Sequence, residues 1–130
     1  MSEHEKVLEC KATKETPRVH FDGQTGLLEI SGASLPENPL RFYGPIMEWL
    51  REYIQSPSEH TLLRFEFSYY NTSTSKIVLA LLEELEALYK AGKSVGVEWC
   101  YPEGDEDMEE SGHEYAEESV VPIKLCPQKM

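Results

Sequence analysis

The sequence predicts a single α/β (α+β) domain in which a mixed β-sheet is packed by two main helices. Three observations carry that prediction. Residues 61–69 alternate cleanly, with Leu63, Phe65, Phe67 and Tyr69 on one face and Arg64, Glu66 and Ser68 on the other, which is the period of a strand. Directly afterwards Val78, Leu81, Leu82, Leu85 and Leu88 recur at helical spacing until Gly92. Val95, Val97, Trp99 and Tyr101 then alternate again. Helices that alternate with strands imply a sheet covered by helices.

The remaining elements follow in order. Residues 1–15 are polar and read as a flexible lead-in, within which Val7-Leu8-Glu9-Cys10 has the pattern of an added edge strand. Val19 and Phe21 alternate up to Asp22-Gly23, and Leu28 and Ile30 alternate after Gly26, so the turn between them makes a β-hairpin. Asn38 is a good N-cap and Pro39 suits the first helical position. Tyr43, Ile46, Met47, Leu50, Tyr53 and Ile54 then fall at helical spacing. Pro45 lies inside that stripe and removes a backbone hydrogen bond, which predicts a kink or a start near Gly44. Residues 104–116 read as a short exposed helix, and Val121, Ile123 and Leu125 as a closing strand that Pro122 puts at a sheet edge. The order is β-β-α-β-α-β-(α)-β, in one domain over residues 16–130.

A chain of 130 residues with 40% hydrophobic and 10% aromatic residues builds one folded core. The net charge of −12 excludes nucleic acid as a partner, which needs a basic footprint. Nine acidic residues and no Lys or Arg lie between Glu103 and Glu118, so one acidic segment (103–118) carries most of that charge. No apolar run approaches the roughly 20 residues that span a bilayer, so no membrane insertion is expected. The charged opening Met1-Ser2-Glu3-His4-Glu5-Lys6 lacks the apolar stretch of a secretory signal, and a cytoplasmic location is expected. Cys10, Cys100 and Cys126 match no zinc spacing and read as idle thiols in a reducing compartment; no cofactor is expected.

Chemistry concentrates in Tyr69-Tyr70-Asn71-Thr72-Ser73-Thr74-Ser75-Lys76, with four consecutive hydroxyls at the seam between a strand and a helix. Such side chains cap helices by accepting orphan N–H bonds. The same geometry holds an anion, because free N–H groups and the helix dipole favour one there. Four hydroxyls exceed what a cap requires, and from the residues alone both readings stand. A hydrolase would need a base beside one of these hydroxyls, and only His20 and His60 are candidates to reach it. The acidic segment fails the EF-hand pattern. It reads as a solvated face or as a docking surface for a basic partner, with a metal site the remaining option.

At these residues the chain resembles the SiaC-family regulatory phosphoproteins. The resemblance runs through Thr16-Pro17-Arg18-Val19-His20-Phe21-Asp22, Gly26-Leu27-Leu28-Glu29-Ile30-Ser31-Gly32 and Pro36-Glu37-Asn38. It continues through the hydroxyl seam, Trp99-Cys100-Tyr101 and Asp105-Glu106-Asp107-Met108. It implies a fold like the STAS domains of anti-sigma-factor antagonists and a non-enzymatic role in bacterial partner switching. It further implies phosphorylation by a dedicated kinase, reversal by a PP2C-type phosphatase, and a diguanylate cyclase as output partner, with control of cyclic-di-GMP and biofilm formation. The family's acceptor maps onto Thr72, with Ser73 and Thr74 as secondary candidates; Tyr70, Asn71, Ser75, Lys76, Glu37 and Asn38 become the contact residues. Leu35 departs from the family by standing where an aromatic residue is usual. The competing readings are a constitutive acidic adaptor and a small Ser/Thr-nucleophile hydrolase.

Overall fold

The computed structural model describes residues 7–129. Its elements are β1 (Val7–Cys10), β2 (Arg18–Asp22), β3 (Leu27–Ser34), α1 (Pro39–Gln55), β4 (His60–Tyr70), α2 (Thr72–Lys90), β5 (Ser94–Pro102), α3 (Glu106–Glu118) and β6 (Ile123–Gln128). The six strands form one sheet in chain order. β1, β2 and β3 pair antiparallel, while β3, β4, β5 and β6 pair parallel. The mixed α/β architecture expected from the sequence is therefore present. The third helix, α3, joins the two main ones. Among the described residues no helix is long and apolar enough to cross a membrane.

Each parallel pair is joined through one helix. Crossovers of one hand that advance in one direction leave their helices on one face of the sheet. Side-chain burial agrees. Val19, Ile30, Phe65, Trp99 and Leu125 face one another in register across β2 to β6, and they pack in one cluster with Tyr43, Ile46, Leu81, Leu85, Met108 and Tyr115 from the helices. The opposite face presents a polar row, Glu9, His20, Glu29, Arg64, Glu98 and Lys124, one residue from each strand, in which charge alternates from Glu29 to Lys124. Cross-strand neighbours of opposite sign favour this register and disfavour a slip.

The hairpin turns at Asp22, whose Oδ1 accepts the Gln24 N–H at 2.9 Å, and closes at Gly26 with φ 81°. A side chain at Gly26 would collide with the His60 carbonyl, so glycine is required there. Part of the expected lead-in is ordered: Val7–Cys10 pairs with β2 as the edge strand, so the folded unit begins before residue 16. Residues 1–6 of that lead-in lie outside the described residues.

Three local expectations change. First, α1 does not begin near Gly44. Asn38 caps it, accepting the Arg41 N–H at 3.2 Å, and the helix runs from Pro39 through Pro45. Its buried stripe of Tyr43, Ile46, Trp49, Leu50 and Tyr53 outweighs the hydrogen bond that Pro45 cannot make. Pro45 itself is exposed. We expect Pro45→Ala to raise stability by about 1–3 kcal/mol, read as a shift in urea midpoint without change in slope. Second, Tyr69 is not on the core face. The pairing of β3 with β4 shifts after Gly32–Phe67, so that Ala33 faces Tyr69 and Ser68 is an extra residue. An extra residue reverses the alternation beyond it. Tyr69 therefore turns outward, 58% exposed, while Tyr70 packs with ring centroids 5.3 Å from Phe67 and 5.8 Å from Trp99. Third, α3 is not simply an exposed helix. Met108, Gly112 and Tyr115 are buried on one side of it. The closing strand also starts later than expected, with Val121 buried just before β6.

Candidate functional site

The parallel strands β3, β4 and β5 all deliver their chains to one edge of the sheet. In open α/β sheets that edge, at the carboxyl ends of the strands, is where binding sites gather. The loop after β3 carries Glu37 and Asn38, the seam after β4 carries Asn71 and Thr72, and the loop after β5 carries Asp105.

The seam separates its four hydroxyls sharply. Asn71 is the N-cap of α2 (φ −100°, ψ 176°), and its Oδ1 accepts the Thr74 N–H at 3.1 Å. Ser73 Oγ donates to the same Oδ1 at 2.8 Å. Thr74 is fully buried, and its Oγ1 donates to the Ser34 carbonyl at 3.1 Å. Because that proton is committed, Ser34 Oγ donates to Thr74 Oγ1 at 2.7 Å, and Tyr43 OH donates to Ser34 Oγ at 2.6 Å. Burial pushes the Tyr43 phenol up to about 12, which keeps that donor protonated. Ser75 Oγ lies 2.8 Å from Tyr115 OH, which donates onward to Tyr70 OH at 3.2 Å. Burial raises the Tyr115 phenol too.

Thr72 stands apart from this network. It is the first residue of α2 and is exposed. Lys76 follows one turn later, also exposed, on the same side of the helix. The first turn of α2 carries no acidic residue of its own to complement its dipole. Thr72 opens into a hollow of about 420 Å³ that it shares with Ser68, Tyr69, Tyr70, Asn71, Ser75, Asp105, Asp107, Met108 and Ser111. Asp105 caps α3 by accepting the Met108 N–H at 3.1 Å. The hollow thus combines a helix start with no acidic residue of its own, the carboxylates of Asp105 at the cap and Asp107 in the first turn of α3, and an outward-facing tyrosine.

The sequence reading grouped Tyr70, Asn71, Thr72 and Ser75, and the fold brings these four together. Lys76 sits beside them on the outer surface. Glu37 and Asn38 go elsewhere. They line a second hollow of about 680 Å³ with Thr13, Lys14, Thr16, Arg41 and Phe42, next along the same edge. Tyr69, Asp105, Asp107 and Ser111 also line the hollow and are not among the contact residues expected from the sequence. The two aspartates were visible only as part of a charged run, and Tyr69 was hidden by the bulge.

Neither histidine considered as a base comes near the seam. His60 begins β4, at the far end of the strand from Tyr70, and its Nδ1 lies 2.7 Å from Ser94 Oγ. His20 pairs with Glu9 at 3.0 Å on the charged face of the sheet. His113 lies toward Glu109 on α3, and His4 is outside the described residues. Among the described residues no histidine lines the hollow, so a Ser or Thr nucleophile there has no imidazole to activate it.

Comparison with known proteins agrees with this geometry. An uncharacterized protein of Pseudomonas aeruginosa (strain UCBPP-PA14) is 28% identical over 118 residues, 91% of this chain and 94% of its own length. Two solved structures superpose over nearly the whole chain. SiaC of Pseudomonas aeruginosa in complex with the diguanylate cyclase SiaD, which it activates, has a TM-score of 0.88 at 27% identity, covering 93% of this chain and 99% of its own. Apo-SiaC from the same organism has a TM-score of 0.84 at 27% identity, covering 97% and 99%. Residues 10–128 match the family described as SiaC family regulatory phosphoprotein. With that match spanning nearly all of the sheet and every helix, the chain belongs to the SiaC family of regulatory phosphoproteins.

Proposed function

We propose that this protein is a cytoplasmic, non-enzymatic switch whose unphosphorylated form binds and activates a diguanylate cyclase, and that a phosphate on Thr72 ends that binding. The observation that carries this reading is the Thr72 hydroxyl, exposed at the first turn of a helix that has no acidic residue of its own in that turn. A dedicated kinase transfers the γ-phosphoryl group of ATP to Thr72 Oγ1, and a PP2C-type phosphatase returns the hydroxyl by hydrolysis. The alternative acceptors are worse placed. Thr74 is sealed in the core and Ser73 is turned onto Asn71. The cyclase role follows the related SiaC that is seen bound to SiaD.

A phosphothreonine carries about −1.5 to −2 charge. The free N–H groups of α2 and the nearby Lys76 ammonium favour that charge, so the domain tolerates it. A partner surface that had covered the neutral hydroxyl does not, because it must strip water from a dianion that also faces Asp105 and Asp107. Tyr69 and Tyr70 at the rim are aromatic anchors for that surface. Glu37 and Asn38, next along the edge, extend it.

The test pairs the purified chain with the diguanylate cyclase of its own organism and follows cyclic-di-GMP production. Incubation with the cognate kinase and ATP is expected to add one phosphate, mapped to Thr72, and to abolish activation; the phosphatase restores it. Phosphate found on another residue, or equal activation by both forms, would overturn the proposal.

A further inference from the structure

The charged face of the sheet, away from the hydroxyl seam, carries a second cluster. Cys100 on β5 and Cys126 on β6 are far apart in sequence but directly opposite each other in the parallel register. Glu98 shares their face two residues before Cys100. The two Sγ atoms and a Glu98 carboxylate oxygen lie within 4.8 Å of one another. Both thiols are free, Cys100 is buried and Cys126 half-buried. We propose that Glu98, Cys100 and Cys126 form a site for a borderline-soft, tetrahedral divalent metal of the zinc class, with water as the fourth ligand.

The donor set fits that metal class. Two thiolates select zinc-like ions over magnesium or calcium, and a carboxylate is an ordinary third ligand. Bond lengths of about 2.3 Å to sulfur and 2.0–2.2 Å to oxygen place tetrahedral donors roughly 3.5–3.8 Å apart. Side-chain rotation closes the remaining gap, because Cys126 and Glu98 are not locked in the core. Arg64 supports the arrangement. Its Nε and Nη2 both engage Glu98 Oε1 at 2.9 Å, which orients the carboxylate through one oxygen and directs no bond to Oε2. Its Nη1 is tied to Glu29 at 3.4 Å on the other side. A divalent ion with two thiolates and one carboxylate keeps a single negative charge, and the Arg64 guanidinium beside it offsets that charge. An orienting partner of this kind is what metal-binding carboxylates usually have. Burial pushes the Cys100 thiol up to about 12, so the metal must displace protons to enter.

The consequence is mechanical. β6 is an edge strand, paired only to β5. A metal that bridges Cys100 and Cys126 clamps that edge, and it does so behind Trp99, the residue against which α3 packs.

The experiment titrates Co2+, then Zn2+, into the intact chain held reduced by a phosphine. Co2+ is expected to bind one-to-one with thiolate charge-transfer absorption and intense tetrahedral visible bands, and Zn2+ to bleach both. Cys100→Ser or Cys126→Ser is expected to weaken binding at least about 100-fold and Glu98→Gln about 10-fold, going by the 10–100-fold that even supporting residues contribute. Cys10→Ser, in β1 on the covered face, leaves binding unchanged. Circular dichroism of each variant checks that it folds. Absence of the cobalt bands, a pair that only oxidises to a disulfide, or full binding by the folded Cys126→Ser variant would overturn the proposal.

Discussion

Thr72→Glu is expected to reduce affinity for the proposed cyclase partner by about 100-fold or more, while Thr72→Ala keeps it within about threefold. A factor of 100 corresponds to about 2.7 kcal/mol, within the range that burying an uncompensated charge costs. The alanine variant is benign because Thr72 Oγ1 takes no part in the cap: Asn71 holds the Thr74 N–H, and Thr74 holds Ser34. The glutamate variant is not a folding defect either. A carboxylate in the first turn of α2 gains about 0.3–1 kcal/mol from the dipole, so the thermal midpoint should hold or rise while binding falls. Calorimetric titration and a thermal melt on the same samples separate the two effects. Asp105→Asn with Asp107→Asn in the Thr72→Glu background should recover part of the affinity, since both carboxylates share the hollow and asparagine caps α3 as well as aspartate does. A constitutive acidic adaptor behaves oppositely: Thr72→Glu changes nothing, and neutralising the acids removes binding.

The sheet and its two main helices were legible because their signals are local. Period-two alternation marked β4 and β5, a continuous apolar stripe marked α2, and Asn38-Pro39 marked the start of α1. Three things were not local. The extra residue at Ser68 leaves the apolar pattern looking continuous through Tyr69, so only the pairing with β3 reveals that Tyr69 points outward. The docking of α3 rests on Met108, Gly112 and Tyr115, three positions among seven acids, and a glycine carries no hydrophobic signal at all. It is needed because a Cβ at residue 112 would approach Trp99 Cδ1 to 2.6 Å. The pairing of Cys100 with Cys126 depends on the register of two strands separated by a helix. The site shows the same division. The hydroxyl cluster was visible as composition, but which hydroxyl is exposed, which caps and which is buried depends on Ser34, Tyr43 and Tyr115, all distant in the chain.

Trp99→Ala is expected to cost about 3–5 kcal/mol of stability, a large part of what holds a domain of this size together. Trp99 is 1% exposed. Its ring centroid lies 5.7 Å from Phe65, 6.0 Å from Phe67, 5.8 Å from Tyr70 and 5.0 Å from Tyr115, and its Nε1 donates to the Met108 carbonyl at 2.8 Å. Alanine removes those contacts and the hydrogen bond that ties β5 to the first turn of α3. Trp99→Phe keeps most of the apolar volume and should cost less, about 1–3 kcal/mol, for the smaller ring and the lost indole hydrogen bond. Urea unfolding gives both values. The loss should also be uneven across the fold. β3, β4, α1 and α2 keep their own core of Ile30, Leu50, Leu63 and Leu85, whereas α3 depends on Trp99 for its main anchor. Hydrogen exchange in Trp99→Phe is therefore expected to speed up first in α3, and with it the Tyr115 link to Ser75 and Tyr70 loosens. Asp105 and Asp107 then lose their fixed place beside Thr72. If exchange instead rises uniformly, α3 is part of one cooperative core, and the hollow cannot be loosened without unfolding the sheet.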